Sequence, residues 1–370
     1  MEYIWLSRSE ISEKEKKKIN EVLDAGYLGM GKYVGEFEEK LKEYLGGKNV
    51  VCVNTGTSAL HLALEALRLP KGSEVLVQSL TYVATFQAIT AAGLKPIPVE
   101  IYPETCTIDL EDAAKKITEK TRVIMPVHYA SRCGDLDKIY IFAKKYNLRV
   151  VEDAAHAFGS LYKGKKIGSF GDIVCFSFDP IKNITCGEGG AIVSADEEVI
   201  QYVKDARLLG VQKDSDKRYQ SQRSWIFDVS HQGYRYHMNN ISAAIGIAQL
   251  ERFKNEFKPK RQELAKKYYE LLKEIDDIIL FQNDFDEIVP HIFPIRILNG
   301  ARDFIKKKLA ENNIDTGVHY YPNHLLSYFD IGFKLPITEK IYSELLSLPL
   351  HCQLTNEDQL SIIEFIKKYI

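Results

Sequence analysis

Between Asn49 and Asp153 short apolar runs alternate with helical runs, and this alternation most restricts what the chain can fold into. Residues 49–53, 74–78, 95–99, 123–127 and 149–152 read as strands, and 59–67, 81–92, 110–117 and 136–146 as the helices between them. Repeated βα units of this kind pack as a mostly parallel, doubly wound sheet with helices on its faces. Ligands on such sheets bind beyond the carboxyl ends of the strands. Three turns therefore stand out: Asn54–Ser58, Gln78–Tyr82, and the segment that opens at Asp153.

Outside this region the pattern changes. Helical periodicity predicts helices over 9–25 (capped by Ser9 or Ser12 and ended by Gly26), 37–45, 199–208, 239–253 and 258–275. The Gly29-Met-Gly-Lys-Tyr-Val-Gly35 run follows a helix rather than a strand, so it reads as a loop and not as a dinucleotide fingerprint. Residues 210–230 form a long polar and aromatic excursion. A C-terminal α+β unit follows, with strands near 278–281 and 288–297, a helix at 301–312 and a last helix from Thr355. At 370 residues the expected division is a large domain, 1–250, and a smaller one, 251–370.

Net charge is −2, with 49 basic and 51 acidic residues spread along the chain, so no basic patch argues for nucleic acid. The six cysteines lack C-x-x-C spacing, and several sit in apolar runs; reduced, buried thiols are expected, without a disulfide frame or a metal site. No apolar run approaches the ~18 residues of a membrane span, and the N-terminus lacks an apolar targeting core, so a cytoplasmic protein is expected.

The chemistry concentrates around residues 172–193, where two strand-like runs bracket a loop carrying Lys182 among Phe178, Pro180, Ile181 and Ile184. An apolar neighbourhood disfavours the ammonium and favours the neutral, nucleophilic amine. Gly187-Glu-Gly-Gly190 permits tight turning and close approach to a ligand. The Asn54–Ser58 turn, with Gly56, Thr57 and Ser58, is either a phosphate cradle at a helix N-terminus or a plain cap. Asp153 is either a helix cap or the acid that pairs with a protonated ring nitrogen of pyridoxal phosphate. His156 and Ser177 are candidates for hydrogen bonds to a ring substituent and a phosphate, and Tyr82 for stacking.

Taken together these segments resemble the DegT-type sugar-nucleotide aminotransferases, a branch of the fold-type-I pyridoxal-phosphate enzymes. The matching pieces are Gly56-Thr-Ser-Ala-Leu60, Glu152-Asp-Ala-Ala-His156, Phe176-Ser-Phe178 with Lys182-Asn183, Gly187-Glu-Gly-Gly190, residues 234–246, and Gly317-Val-His-Tyr-Tyr-Pro-Asn-His324. The resemblance implies that Lys182 binds the cofactor covalently and shuttles a proton. Asp153 would pair with the ring nitrogen, His156 with the ring hydroxyl, Tyr82 with the ring face, and Gly56, Thr57, Ser58 and Ser177 with the phosphate. It further implies a homodimer whose neighbouring subunit reaches the cofactor through residues 234–239, with Arg235 and His237 where many relatives carry an asparagine. His319 and His324 are the implied substrate contacts. Asp179 stands where relatives often have histidine, and neither it nor the loop Ala130-Ser-Arg-Cys-Gly134 receives a role.

The implied reaction is amino transfer, with L-glutamate as donor, to a nucleotide-linked 4-keto-6-deoxysugar. Residues 182–190 and 234–238 look more like C4-acting than C3-acting relatives, and a 3-keto-6-deoxysugar is the alternative. Some relatives dehydrate a sugar with histidine in the lysine's place; Lys182 argues against that chemistry.

Overall fold

The computed structural model describes residues 2–330 and 332–370. Helices α1 (Glu13–Ala25) and α2 (Lys32–Tyr44) precede β1 (Asn49–Val53), α3 (Gly56–Ala66), β2 (Glu74–Gln78), α4 (Val83–Ala91) and β3 (Lys95–Val99). Then come α5 (Leu110–Lys115), β4 (Thr121–Met125), α6 (Leu136–Tyr146) and β5 (Arg149–Asp153). A small hairpin (β6, Leu161–Tyr162; β7, Lys165–Lys166) leads to β8 (Ile173–Ser177), β9 (Gly190–Ser194), α7 (Glu197–Ala206), α8 (Asp214–Tyr219), α9 (Asn240–Arg252) and α10 (Lys258–Leu272). The C-terminal part contains β10 (Ile278–Leu280), β11 (Phe293–Ile297), α11 (Arg302–Glu311), α12 (Pro336–Glu344), β12 (Leu345–Leu348) and α13 (Asn356–Tyr369).

The large sheet has the order β1-β9-β8-β5-β4-β2-β3, and only β9 runs against its neighbours. This is the mostly parallel α/β sheet expected. Its strands are apolar on both faces because helices cover both. Val50 and Cys52 of β1, with Val174 and Phe176 of β8, enter one core. Val51, Val53, Ile173 and Cys175 alternate into the other. A smaller antiparallel sheet, β10-β11-β12, packs with α10, α11 and α13 around Tyr268, Ile295, Leu309 and Ile363. Ile4 belongs to this third core and bridges Ile314, so the start of the chain packs with its C-terminal part.

Three local expectations change. Helix α1 begins after Ser12, not Ser9, because Ser12 and Glu15 form a reciprocal capping box. Helix α2 starts at Lys32, so the glycine-rich run is not a loop throughout. A Cβ on Gly35 would stand 3.2 Å from the Tyr219 ring, and one on Gly31 2.8 Å from Asn240 Nδ2, so both glycines serve close packing. Helix α12 and strand β12 go beyond the expected elements. The run Leu345–Leu348 becomes a strand because β11 pairs with it, a non-local cause. All six cysteines are free thiols. Among the described residues no helix is long and apolar enough to cross a membrane.

Candidate active site

The carboxyl ends of β1, β2, β4, β5 and β8 open onto one cavity of about 440 Å³, lined among others by Gly56, Thr57, Thr81, Val127, Asp153 and Ser177. The loop from β8 to β9 closes one side with Asp179, Lys182 and Glu188, and His319 and Tyr320 close another. The three expected turns and the lysine loop therefore meet, as the strand-end rule requires.

At the N-terminus of α3, Thr55 Oγ1 accepts the Ser58 N–H at 3.0 Å, and the Thr55 carbonyl accepts that of Ala59 at 3.1 Å. Gly56 and Thr57, in the first turn, have N–H groups without an intrahelical acceptor. Two glycines make this corner possible. A Cβ on Gly56 would lie 2.8 Å from Ser177 Cβ, and one on Gly190 only 2.3 Å from the Thr55 carbonyl oxygen. Gly190→Ala is expected to push the α3 terminus aside, costing about 2 kcal/mol of stability as overpacking does and weakening cofactor retention at least about tenfold. Absorbance titration with the cofactor, beside denaturant unfolding, checks both. Ser58 itself is buried, donates to Asn54 Oδ1 at 2.7 Å and is absent from the cavity lining, so its hydroxyl braces the turn.

Asp153 is buried at the end of β5. Thr85 Oγ1 donates to its Oδ2 at 2.8 Å and the Ala155 N–H to its Oδ1 at 3.1 Å. Burial still pushes its pKa up, against these donors and the nearby Lys182 charge. A carboxylate in that condition has room for one more strong donor. Lys182 sits in the turn closed by its own N–H to the Asp179 carbonyl at 3.1 Å. Burial drives its amine down from 10.5 to about 8, even though Asp179 and Asp153 oppose the shift. Asp179, unexplained by sequence, braces this turn by accepting the Ile181 N–H at 3.1 Å and turns toward the cavity.

His156 is fully engaged: the Ala130 N–H donates to Nδ1 at 3.3 Å, and Nε2 lies 2.8 Å from the Tyr320 hydroxyl. Since Nδ1 accepts, Nε2 carries the proton and Tyr320 accepts it, which leaves Tyr320's own hydroxyl proton for another acceptor. Burial, followed by the Lys182 charge, holds His156 well below its ordinary pKa, and it is neutral. Tyr82 is exposed at the mouth, its ring 5.6 Å from that of Tyr320. His319 lines the cavity, bonds Ser347 through Nδ1 at 2.8 Å, and is lowered to about 4 by burial.

The remaining expected residues lie elsewhere. His324 is buried between Ser79 (2.8 Å) and Glu339 (3.1 Å), outside the cavity lining. Arg235 is exposed and His237 bridges Val53 of β1; neither lines this chain's cavity. Conversely, sequence reasoning assigned no role to Tyr320 or His291. Tyr320 stood inside the matching 317–324 segment, whereas nothing local distinguishes His291. Among the described residues no cluster of His, Cys, Asp and Glu could hold a metal ion.

An amine lowered toward neutrality, a buried acid short of donors and a glycine-limited helix N-terminus in one cavity are what a phosphorylated aldehyde with a basic ring requires. Residues 9–367 match the DegT/DnrJ/EryC1/StrS aminotransferase family, and the chain belongs to it. It is similar to the GDP-perosamine synthase of Escherichia coli O157:H7, 36% identical with 100% of this chain and 99% of that protein covered. Among solved structures it resembles Helicobacter pylori PseC, an aminotransferase involved in the biosynthesis of pseudoaminic acid (28% identity, TM-score 0.92, 100% and 99% covered). It likewise resembles the PMP form of the putative sugar aminotransferase Spr1654 from Streptococcus pneumoniae (31%, TM-score 0.91, 99% and 97%). The chain is thus a sugar aminotransferase with the fold of the pyridoxal-phosphate sugar aminotransferases, and pyridoxal phosphate is its cofactor.

Proposed function

We propose that this enzyme transfers the amino group of L-glutamate to the keto carbon of a nucleotide-linked 4-keto-6-deoxysugar. The observation that carries the reading is the pair of Lys182 and Asp153 in one cavity of a sugar aminotransferase. The likeness to a GDP-perosamine synthase supports a nucleotide-linked acceptor.

In this reading Lys182 holds the cofactor, and Gly56, Thr57 and Ser177 hold its phosphate. When bound, pyridoxal phosphate supplies an electron-withdrawing ring that eases proton loss from the carbon bearing the transferred amine. Asp153 would accept from the ring nitrogen, a charged donor added to those of Thr85 and Ala155. Tyr82 covers the ring face. His156 and Tyr320 act as a neutral pair at the ring hydroxyl, and His319 is placed for substrate. Lys182, near 8 when free, takes the proton from one carbon and returns it to another.

Among the described residues the lining offers Lys182 as its one lysine or arginine against Asp153, Asp179 and Glu188. A phosphate, glutamate and a nucleoside diphosphate all call for more positive charge than that. We infer a homodimer in the cytoplasm, with the 234–239 segment and Arg235 of a second copy completing the site. Trp225 and Ile226, 85% and 96% exposed on the adjoining excursion, support such a partner. The test is a panel of nucleotide 4-keto- and 3-keto-6-deoxysugars with glutamate, read by product mass. An aminated 4-keto substrate with one 2-oxoglutarate formed per turnover is expected. Absence of 2-oxoglutarate across the panel rejects the reaction, and amination of only 3-keto substrates rejects the C4 assignment.

A further inference from the structure

His291 lies in the connection before β11, far from Lys182 in sequence, yet its Nε2 is 3.2 Å from Lys182 Nζ. Its place is built by several independent contacts. The Ser131 hydroxyl accepts the His291 N–H at 3.2 Å and stands 2.5 and 2.7 Å from the carbonyl oxygens of His156 and Val289. Asn183, the residue after the lysine, donates to the Val289 carbonyl at 3.0 Å, and Arg261 donates to the carbonyl of His291 at 3.3 Å. The ring packs 4.5 Å from that of His156. Ser131 thus links a large-sheet loop, the Asp153–His156 turn and the small-sheet connection at one point.

We propose that His291 is the positioning residue for Lys182: its Nε2 accepts from the Lys182 ammonium whenever that amine is free of the cofactor, aiming Nζ for proton transfer. The proposal rests on the reading of Lys182 as the covalent anchor. A lysine side chain has four rotatable bonds, and a shuttle that must return a proton to a defined carbon cannot be left to wander among them. A carboxylate acceptor would hold the ammonium too strongly for it to give up its proton. A neutral imidazole orients it without neutralising it. His291 stays neutral because it is buried and faces Lys182, Arg261, His156 and His319. Its Nδ1 has no hydrogen-bond partner among the described residues, so nothing but Lys182 selects the tautomer that presents a lone pair at Nε2. Asp179 and Asp153 are the acids facing the lysine, and among the described residues neither carboxylate is hydrogen-bonded to Nζ: Asp179 accepts from Ile181, and Asp153 from Thr85 and Ala155.

Five proteins test this: wild type, Lys182→Ala, His291→Phe, His291→Gln and His291→Glu. The first readout is the rate at which the cofactor-free protein captures pyridoxal phosphate across pH, whose midpoint follows the Lys182 amine. Wild type should show a midpoint near 8 that Lys182→Ala abolishes; a capture rate unaffected by Lys182→Ala would sink the anchor reading itself, whatever His291 does. Given the anchor, His291→Phe should lower the midpoint by about half a unit or more, His291→Glu should raise it above that of His291→Gln, and Gln should lie near wild type. The second readout is the single-turnover reaction with glutamate. His291→Phe should slow it at least about tenfold and enlarge the isotope effect from deuterium at the glutamate α-carbon, while His291→Gln restores much of the rate. Midpoints and isotope effects equal to wild type in His291→Phe overturn the proposal. If His291→Phe does not fold, equal midpoints in the Gln and Glu variants, which match in shape and differ in charge, overturn it instead.

Discussion

Lys182→Ala is expected to abolish amino transfer, with turnover at least about 10⁴-fold down, because one substitution removes both the cofactor's anchor and the proton shuttle. The same substitution should make the cofactor-free protein more stable at neutral pH. The sign follows from the direction of the shift. The amine's pKa falls from 10.5 unfolded to about 8 folded, so the unfolded chain binds its proton more tightly. That penalty is fully present below pH 8, fades between pH 8 and 10.5, and vanishes above. At about 1.4 kcal/mol per unit it reaches on the order of 3 kcal/mol. Denaturant unfolding of the two cofactor-free proteins at pH 7 and pH 10.5 checks this: the variant's advantage should shrink with rising pH. A variant less stable than wild type at pH 7 would mean that Lys182 is not held in a desolvated place.

Arg207→Met should produce the largest loss of stability, about 3–5 kcal/mol, through an unpaired buried acid. Arg207, just after α7, has a fully buried side chain that donates to Glu38 of α2 (2.6 Å), the Cys52 carbonyl of β1 (2.6 Å), Ser215 (3.2 Å) and Tyr219 of α8 (2.7 Å). Tyr219 and the Cys52 N–H in turn donate to Glu38 at 2.6 and 2.7 Å. Methionine roughly keeps the volume and strands the Glu38 carboxylate. A second change, Glu38→Met, should recover part of the loss, because replacing both partners by apolar groups removes the orphan charge. Double-variant denaturation curves measure it. Strand β1 runs directly into the Thr55–Thr57 turn, so cofactor affinity should fall along with stability in the single variant.

Much of the fold was legible locally. The βα alternation of residues 49–153 depends on strand and helix periodicities, which are properties of neighbouring residues. It led to the parallel sheet, and the sheet's own rule led to its carboxyl ends. Lys182, Asp153, Gly56, Thr57, Ser177 and His156 were reachable as candidates because each ends or follows a strand or sits in a glycine-marked loop. The elements that escaped depend on distant partners. Leu345–Leu348 is apolar enough for helix or strand, and only β11 decides. Gly31 and Gly35 look like loop residues until Asn240 and Tyr219 close on them.

The site divides the same way. The sequence by itself determined that this chain builds a mostly parallel sheet and presents a lysine, an acid and a helix N-terminus at one end of it. Apolar periodicity, turn chemistry and residue type suffice for that. Only the tertiary structure decided that His291 stands beside Lys182, that Tyr320 engages His156, that Ser58 and His324 brace the framework, and how far the lysine's amine is driven toward neutrality. Those outcomes depend on burial and, at His291, Tyr320 and His324, on groups a hundred or more residues away, and no local pattern encodes a dielectric environment or a neighbour across the fold.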